Sequence, residues 1–207
     1  MPYPLTSGIA SAKPVASAPA DRRALRRMLL ERRRALSADV CAQFSRRICS
    51  SLQAAFPQFA ANRVAFCWPV HNEPDLRPLL EEWTSQGRDG YAALLPVVVE
   101  ENRPLAFRAW VPGARLSLDR YGIPAPSAGD FLIPQVLLVP LLGFDARGYR
   151  LGYGGGYFDR TLASLQPRPF AVGVGFELSR LDSIQPEEYD QPLDAMVTEV
   201  GVFQPSA

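Results

Sequence analysis

Between Val136 and Asp159 the chain reads V-L-L-V-P-L-L-G-F-D-A-R-G-Y-R-L-G-Y-G-G-G-Y-F-D. Val136 to Leu142 is an unbroken apolar run closed by Gly143, the pattern of a strand covered on both faces. A short polar turn follows. Gly152, Gly154, Gly155 and Gly156 then stand where a chain must turn sharply and admit another group close to its backbone. Tyr157 to Leu165 continues with helical spacing. Backbone N–H groups in such a loop, beside the positive end of a helix dipole, form a phosphate cradle. On the glycines alone a tight packing turn is an equal reading. Asp145, Arg150 and Asp159 favour nucleotide chemistry, because they supply charges for nucleotide and metal.

The form of the loop excludes two common alternatives. A dinucleotide fingerprint requires G-x-G-x-x-G, and the sixth position from Gly152 is Tyr157. A P-loop requires Gly-Lys-Ser/Thr, and Lys13 is the only lysine of the chain. Any cation holding phosphate within the fold is therefore arginine, whose planar fork matches phosphate oxygens. His71 is the only histidine, so a multi-histidine metal site is excluded.

Working outward, Arg22 to Ala35 reads as a helix capped by Asp21, with Leu25, Met28 and Leu29 as its apolar stripe. Ser37 caps a second helix carrying Val40, Phe44, Ile48 and Leu52. Strands are expected at 63–68, 92–99, 105–110, 170–176 and 196–203, and a helix from Pro74 to Gln86. Strands alternating with helices predict an α/β single layered domain with a mostly parallel central sheet flanked by helices, made mixed by its last strands. Residues 1–20, rich in Ala, Ser and Pro, read as a disordered N-terminal extension before a domain at 21–207. An acid-poor organelle transit peptide is the alternative. The 207 residues suit one core, 47% hydrophobic content is enough to fill it, and a net charge of +1 argues against a nucleic-acid-coating surface. No apolar run reaches membrane-spanning length. Three cysteines without a C-x-x-C pair fit a reducing cytoplasm.

The motif Leu142-Gly143-Phe144-Asp145, Gly148, Arg150-Leu151-Gly152, Gly154-Gly155-Gly156-Tyr157-Phe158-Asp159 resembles the signature of the 5-formyltetrahydrofolate cyclo-ligase family, also known as 5,10-methenyltetrahydrofolate synthetases. The order of features from residue 20 onward is similar to the family's, including His71-Asn72-Glu73 and the Gly122-Ile123-Pro124 turn. The resemblance implies ATP-dependent cyclisation of 5-formyltetrahydrofolate to 5,10-methenyltetrahydrofolate, with ADP and phosphate released through an iminium phosphate. It implies Mg2+ as cofactor and ATP as co-substrate. Nucleic acid and membrane are not expected as partners, and the chain is expected to be a monomer.

The resemblance also assigns residues. Arg22 and Arg26, four apart and so on one helix face, match a basic pair that binds ATP. The remaining helix arginines, Arg23, Arg27, Arg32, Arg33 and Arg34, read as a solvated face or as an RNA-binding stripe, the latter without aromatic partners. Arg150, Leu151, Gly152, Tyr153, Gly154, Gly155, Gly156, Tyr157 and Phe158 are implied to contact ATP, with Arg150 and Tyr157 catalytic. Tyr153 to Tyr157 also border the folate, together with Trp68, Glu73 and Tyr121. Glu73 matches the carboxylate that pairs with pterin N–H groups, although unaided it reads more readily as a helix-start residue. Asp159 and Asp194 match magnesium positions, with Asp190 as rival to Asp194. Some relatives carry basic side chains at Tyr153 and Gly155, which keeps open a binding regulator without turnover.

Overall fold

Val136, Leu137, Leu138 and Val139 are each at most 2% exposed, although successive strand residues point to opposite faces. Such burial requires cover on both sides of the sheet. The computed structural model describes residues 21–205; the expected extension at 1–20 lies outside the described residues. Within them run four α-helices: α1 (Arg22–Arg34), α2 (Ala38–Ala55), α3 (Arg77–Gln86) and α4 (Tyr157–Ser164). The strands are β1 (Arg63–Ala65), β2 (Ala92–Val97), β3 (Ala106–Trp110), β4 (Leu116–Leu118), β5 (Pro124–Pro126), β6 (Val136–Pro140), β7 (Gly143–Phe144), β8 (Arg150–Leu151), β9 (Phe170–Val174), β10 (Ala195–Thr198) and β11 (Gly201–Phe203).

Seven strands form one sheet in the order β11-β10-β9-β6-β1-β2-β3. The five central strands are parallel, and each edge is closed by an antiparallel partner, β3 on β2 and β11 on β10. The expected α/β class and mostly parallel sheet are therefore what the chain forms. Val136 and Leu138 join Val64, Val172, Ile48 and Leu80 beneath α2 and α3. Leu137 and Val139 join Ala65, Leu94 and Leu162 beneath α4. Each valine, leucine or isoleucine among them, fully buried, stabilises the fold by about 1.5–3 kcal/mol. Leu25 and Leu29 hold α1 in a third cluster with Leu151, Leu181 and Ile184.

Local signals set the first two helices. Asp21 Oδ1 accepts from the Arg23 N–H at 2.8 Å, and Ser37 Oγ from the Val40 N–H at 3.3 Å. The helix expected from Pro74 begins instead at Arg77, with Pro78 in its first turn. The preceding N–H groups are committed elsewhere: Glu73 donates to Val70 O, and Asp75 to Ser45 Oγ. The strand expected over 196–203 is divided by a turn at Glu199 and Val200 into the hairpin β10–β11. No helix among the described residues is long and apolar enough to cross a membrane.

Candidate active site

The glycine loop lies beyond the carboxyl end of β6, where open α/β sheets place their ligands. Between strand and loop stands the small hairpin β7–β8. Asp145 in its turn is 1% exposed and accepts from the N–H groups of Arg147 (3.0 Å), Tyr149 (3.2 Å) and Ile184 (3.3 Å). It closes the hairpin and offers no charge to a nucleotide, contrary to expectation. The side chains of Leu151 and Phe158 also turn away, Leu151 into the α1 cluster and Phe158 toward the α4 face of the sheet. These two positions can meet a nucleotide only through their backbone.

Arg26 reaches the loop from α1, and Arg22, one turn earlier on the same helix face, reaches the 187–190 segment. Arg26 Nε donates to Gly152 O at 3.0 Å, and its guanidinium lies against Gly154. Gly154 adopts φ +100°, a conformation that a side chain would strain. Arg22 forks onto Asp190, at 2.8 and 3.4 Å, with Glu187 at 3.3 Å. Arg160, which sequence reasoning missed, donates to Gly155 O and stacks over the Tyr157 ring at 5.2 Å. Its signal was its position four residues after Gly156. Arg22 and Arg160 each keep a buried Nε–H with no partner among the described residues, a donor suited to an anion.

A second cluster joins α1, the exit of β1 and the glycine loop. Arg33 is 1% exposed, despite the solvated or RNA-facing reading of its helix face. Its Nε donates to His71 O at 2.9 Å, one terminal nitrogen to Leu141 O at 3.1 Å, and the other to the Tyr153 hydroxyl. Tyr153 Oη donates in turn to Glu73 Oε1 at 2.5 Å, and Glu73 Oε2 accepts from the Val70 N–H at 3.0 Å. Arg33 stands 3.8 Å from the same carboxylate. His71 and Asn72 take left-handed φ values of 51° and 59° to bring Glu73 inward. Burial raises the Glu73 carboxyl above its ordinary 4.5, with Arg33, Tyr153 and the Val70 N–H pulling it back. Both oxygens of this carboxylate, matched in sequence to the pterin contact, are capped within the chain.

Tyr121 and Tyr157 come together, hydroxyl to hydroxyl, at 2.7 Å. Trp68 packs edge-on against Trp110, centroids 6.4 Å apart, and beneath Arg77 at 4.6 Å. Arg150, 5% exposed, pairs with Asp159 Oδ1 at 2.9 Å and donates to Gln191 O. Burial lowers the Arg150 pKa, against the pull of Asp159. Asp159 Oδ1 also accepts from the Gln191 N–H, whereas Oδ2 accepts from none of the described residues. That oxygen suits a hard cation, and magnesium beside phosphates needs only one or two carboxylates.

Asp194, matched in sequence to a magnesium position, lies on Arg168. Both of its oxygens, Oδ1 at 3.0 Å and Oδ2 at 2.8 Å, accept from one Arg168 terminal nitrogen, and Oδ2 also accepts from the Ala171 N–H at 2.7 Å. These partners sit at the amino ends of β9 and β10, away from the glycine loop at the opposite end. Asp190 lies on the loop side, yet Arg22 and the Glu187 N–H already engage its oxygens. No cluster of three metal-ligating side chains is found among the described residues.

A covered, mostly parallel sheet with a glycine loop at its strand ends, bordered by Arg26 and Arg160, defines an α/β protein with a candidate anion site. Residues 18–199 match the model of the 5-formyltetrahydrofolate cyclo-ligase family, and the chain belongs to that family. It is 31% identical over 183 residues to the 5-formyltetrahydrofolate cyclo-ligase of Escherichia coli K12, covering 86% of this chain and 100% of that one. The Haemophilus influenzae enzyme of the same name is 28% identical over 142 residues, covering 66% and 75%. The NMR structure of Aquifex aeolicus 5,10-methenyltetrahydrofolate synthetase superposes with a TM-score of 0.77 at 28% identity, covering 90% of this chain and 93% of that one.

Proposed function

We propose that the protein is an ATP-dependent 5-formyltetrahydrofolate cyclo-ligase acting in the cytoplasm as a monomer. The observation that carries this reading is the meeting of two groups at one loop. Arg26 and Arg160 border the glycine loop, with Arg22 one turn along α1 from Arg26, while Glu73 and Arg33 approach Tyr153 within it. The first group suits a triphosphate and the second an N–H-rich heterocycle.

The formyl oxygen of 5-formyltetrahydrofolate attacks the γ-phosphorus of ATP, and the bond to ADP breaks. N10 then bonds to the activated formyl carbon and loses its proton. Phosphate departs with the former formyl oxygen, leaving 5,10-methenyltetrahydrofolate. The chain's task is positioning and charge neutralisation, as in other phosphoryl transfers. Arg22, Arg26 and the loop N–H groups from Gly152 to Phe158 hold the triphosphate, and buried Arg150 faces its developing charge. Tyr157, paired with Tyr121, borders the formyl group, and Trp68 adds an apolar contact. Asp159 Oδ2 would hold Mg2+, which supplies further neutralisation of phosphate oxygens when bound. Folate reaches Glu73 by displacing the Tyr153 hydroxyl, so that pterin N–H groups replace the phenol as donors.

Purified protein given 5-formyltetrahydrofolate, ATP and Mg2+ is expected to generate the near-UV absorbance of the methenyl product. Folate or nucleotide binding without product formation would show a binding regulator in place of an enzyme.

A further inference from the structure

Arg33 touches neither phosphate nor the reacting atoms in the scheme above, yet it is the most completely buried arginine of α1. A cation is costly to bury unless its donors are met. Here three segments meet them: the turn carrying Glu73 through His71 O, the end of β6 through Leu141 O, and the glycine loop through the Tyr153 hydroxyl. Two of the three acceptors are backbone carbonyls that folate cannot displace. When Tyr153 leaves, the nitrogen it released faces Glu73 Oε1, already 3.8 Å away.

We propose that Arg33 is a positioning residue for folate recognition, the fixed counter-charge that keeps Glu73 anionic and aimed at the loop once Tyr153 has moved. The inference rests on Glu73 being the folate carboxylate. The groups facing that carboxylate are Arg33 from α1, Tyr153 from the glycine loop, and the Val70 N–H and Cys67 thiol from the exit of β1. The Arg34–His71 contact at 2.9 Å lies on the outer side of the same turn. Of these, Arg33 alone brings a positive charge to within 4 Å of Glu73. An opposite charge at such range moves a carboxylate by about 1–3 pH units.

The test is the pH profile of kcat/KM for 5-formyltetrahydrofolate in Arg33→Met, Arg33→Lys and Glu73→Gln. Arg33→Met is expected to move the acid limb upward by about one unit or more, with recovery at higher pH. The KM for ATP should stay within about twofold of the parent. Arg33→Lys retains charge but loses the fork, so its limb should lie within about half a unit of the parent while kcat/KM falls. Superimposable limbs in Arg33→Met and parent, with only a lower Tm, would reduce Arg33 to a structural residue. If Arg33→Met does not fold, a limb displaced by about a full unit in Arg33→Lys overturns the proposal. Glu73→Gln separates the two levels. Intact folate kinetics there remove the Glu73 reading and this inference together. Lost folate kinetics there, with an unmoved limb in Arg33→Met, remove the inference alone.

Discussion

The Tyr153 hydroxyl sits 2.5 Å from Glu73 Oε1 and joins two loops 80 positions apart in the chain. Burial beside that carboxylate pushes the phenol pKa up, so Tyr153 holds its proton and acts as donor. The proposed folate carboxylate is therefore capped by a group on the proposed ATP loop, which ties the two substrates' sites together mechanically.

Glu73→Gln is expected to weaken folate use selectively. One carboxylate oxygen becomes a donor that faces pterin N–H groups, a loss on the order of 2–4 kcal/mol, or roughly 30- to 1000-fold in kcat/KM. The fold should persist, since Arg33 keeps its three other acceptors. Steady-state kinetics with each substrate varied check this; an equal loss toward ATP would contradict it.

The same variant tests the ionisation of Glu73 in the free protein. Because burial raises its pKa, the folded state binds the proton more tightly than the unfolded state. Its contribution to stability is present below the ordinary 4.5 and is lost as pH rises through the folded value. Denaturation midpoints of parent and Glu73→Gln should therefore shift in the variant's favour from acid to neutral pH. A difference that stays flat across that range would mean the carboxyl is not perturbed.

Two aspartates separate metal binding from structure. Asp159→Asn should raise the magnesium concentration for half-maximal activity by roughly 10- to 100-fold. Asp194→Asn should leave that requirement unchanged and cost about 1 kcal/mol of stability, since its bonds to Arg168 are partly solvent-exposed. Magnesium titrations of activity decide the assignment, and a raised requirement in Asp194→Asn would reverse it.

The helix caps, the doubly covered strand and the glycine turn were legible because each rests on neighbours within a few positions. Arg33 was not, although it continues the spacing of Leu25 and Leu29. Whether that guanidinium enters the core depends on acceptors 38, 108 and 120 positions away. Asp190 and Asp194 show the converse. They are close in sequence, but an extended chain advances about 3.3 Å per residue and carries them to different ends of the sheet. Asp145 lies inside the recognisable motif and serves the hairpin that aims the loop, not the loop's ligand.

Gly154→Ala should weaken ATP use without disturbing the core. A side chain at φ +100° costs at least about 1 kcal/mol, and the loop relieves the strain by leaving its contact with Arg26. Calorimetric titration with ATP should show reduced affinity while Tm changes little. Unchanged affinity would mean that the loop's backbone does not hold the phosphates.

The fate of the formyl oxygen tests the central claim most directly. With 5-formyltetrahydrofolate labelled by oxygen-18 in its formyl group, ATP and Mg2+, the account predicts one labelled oxygen in each phosphate released, in step with methenyl product. Unlabelled phosphate, or product formed without ATP, would contradict it.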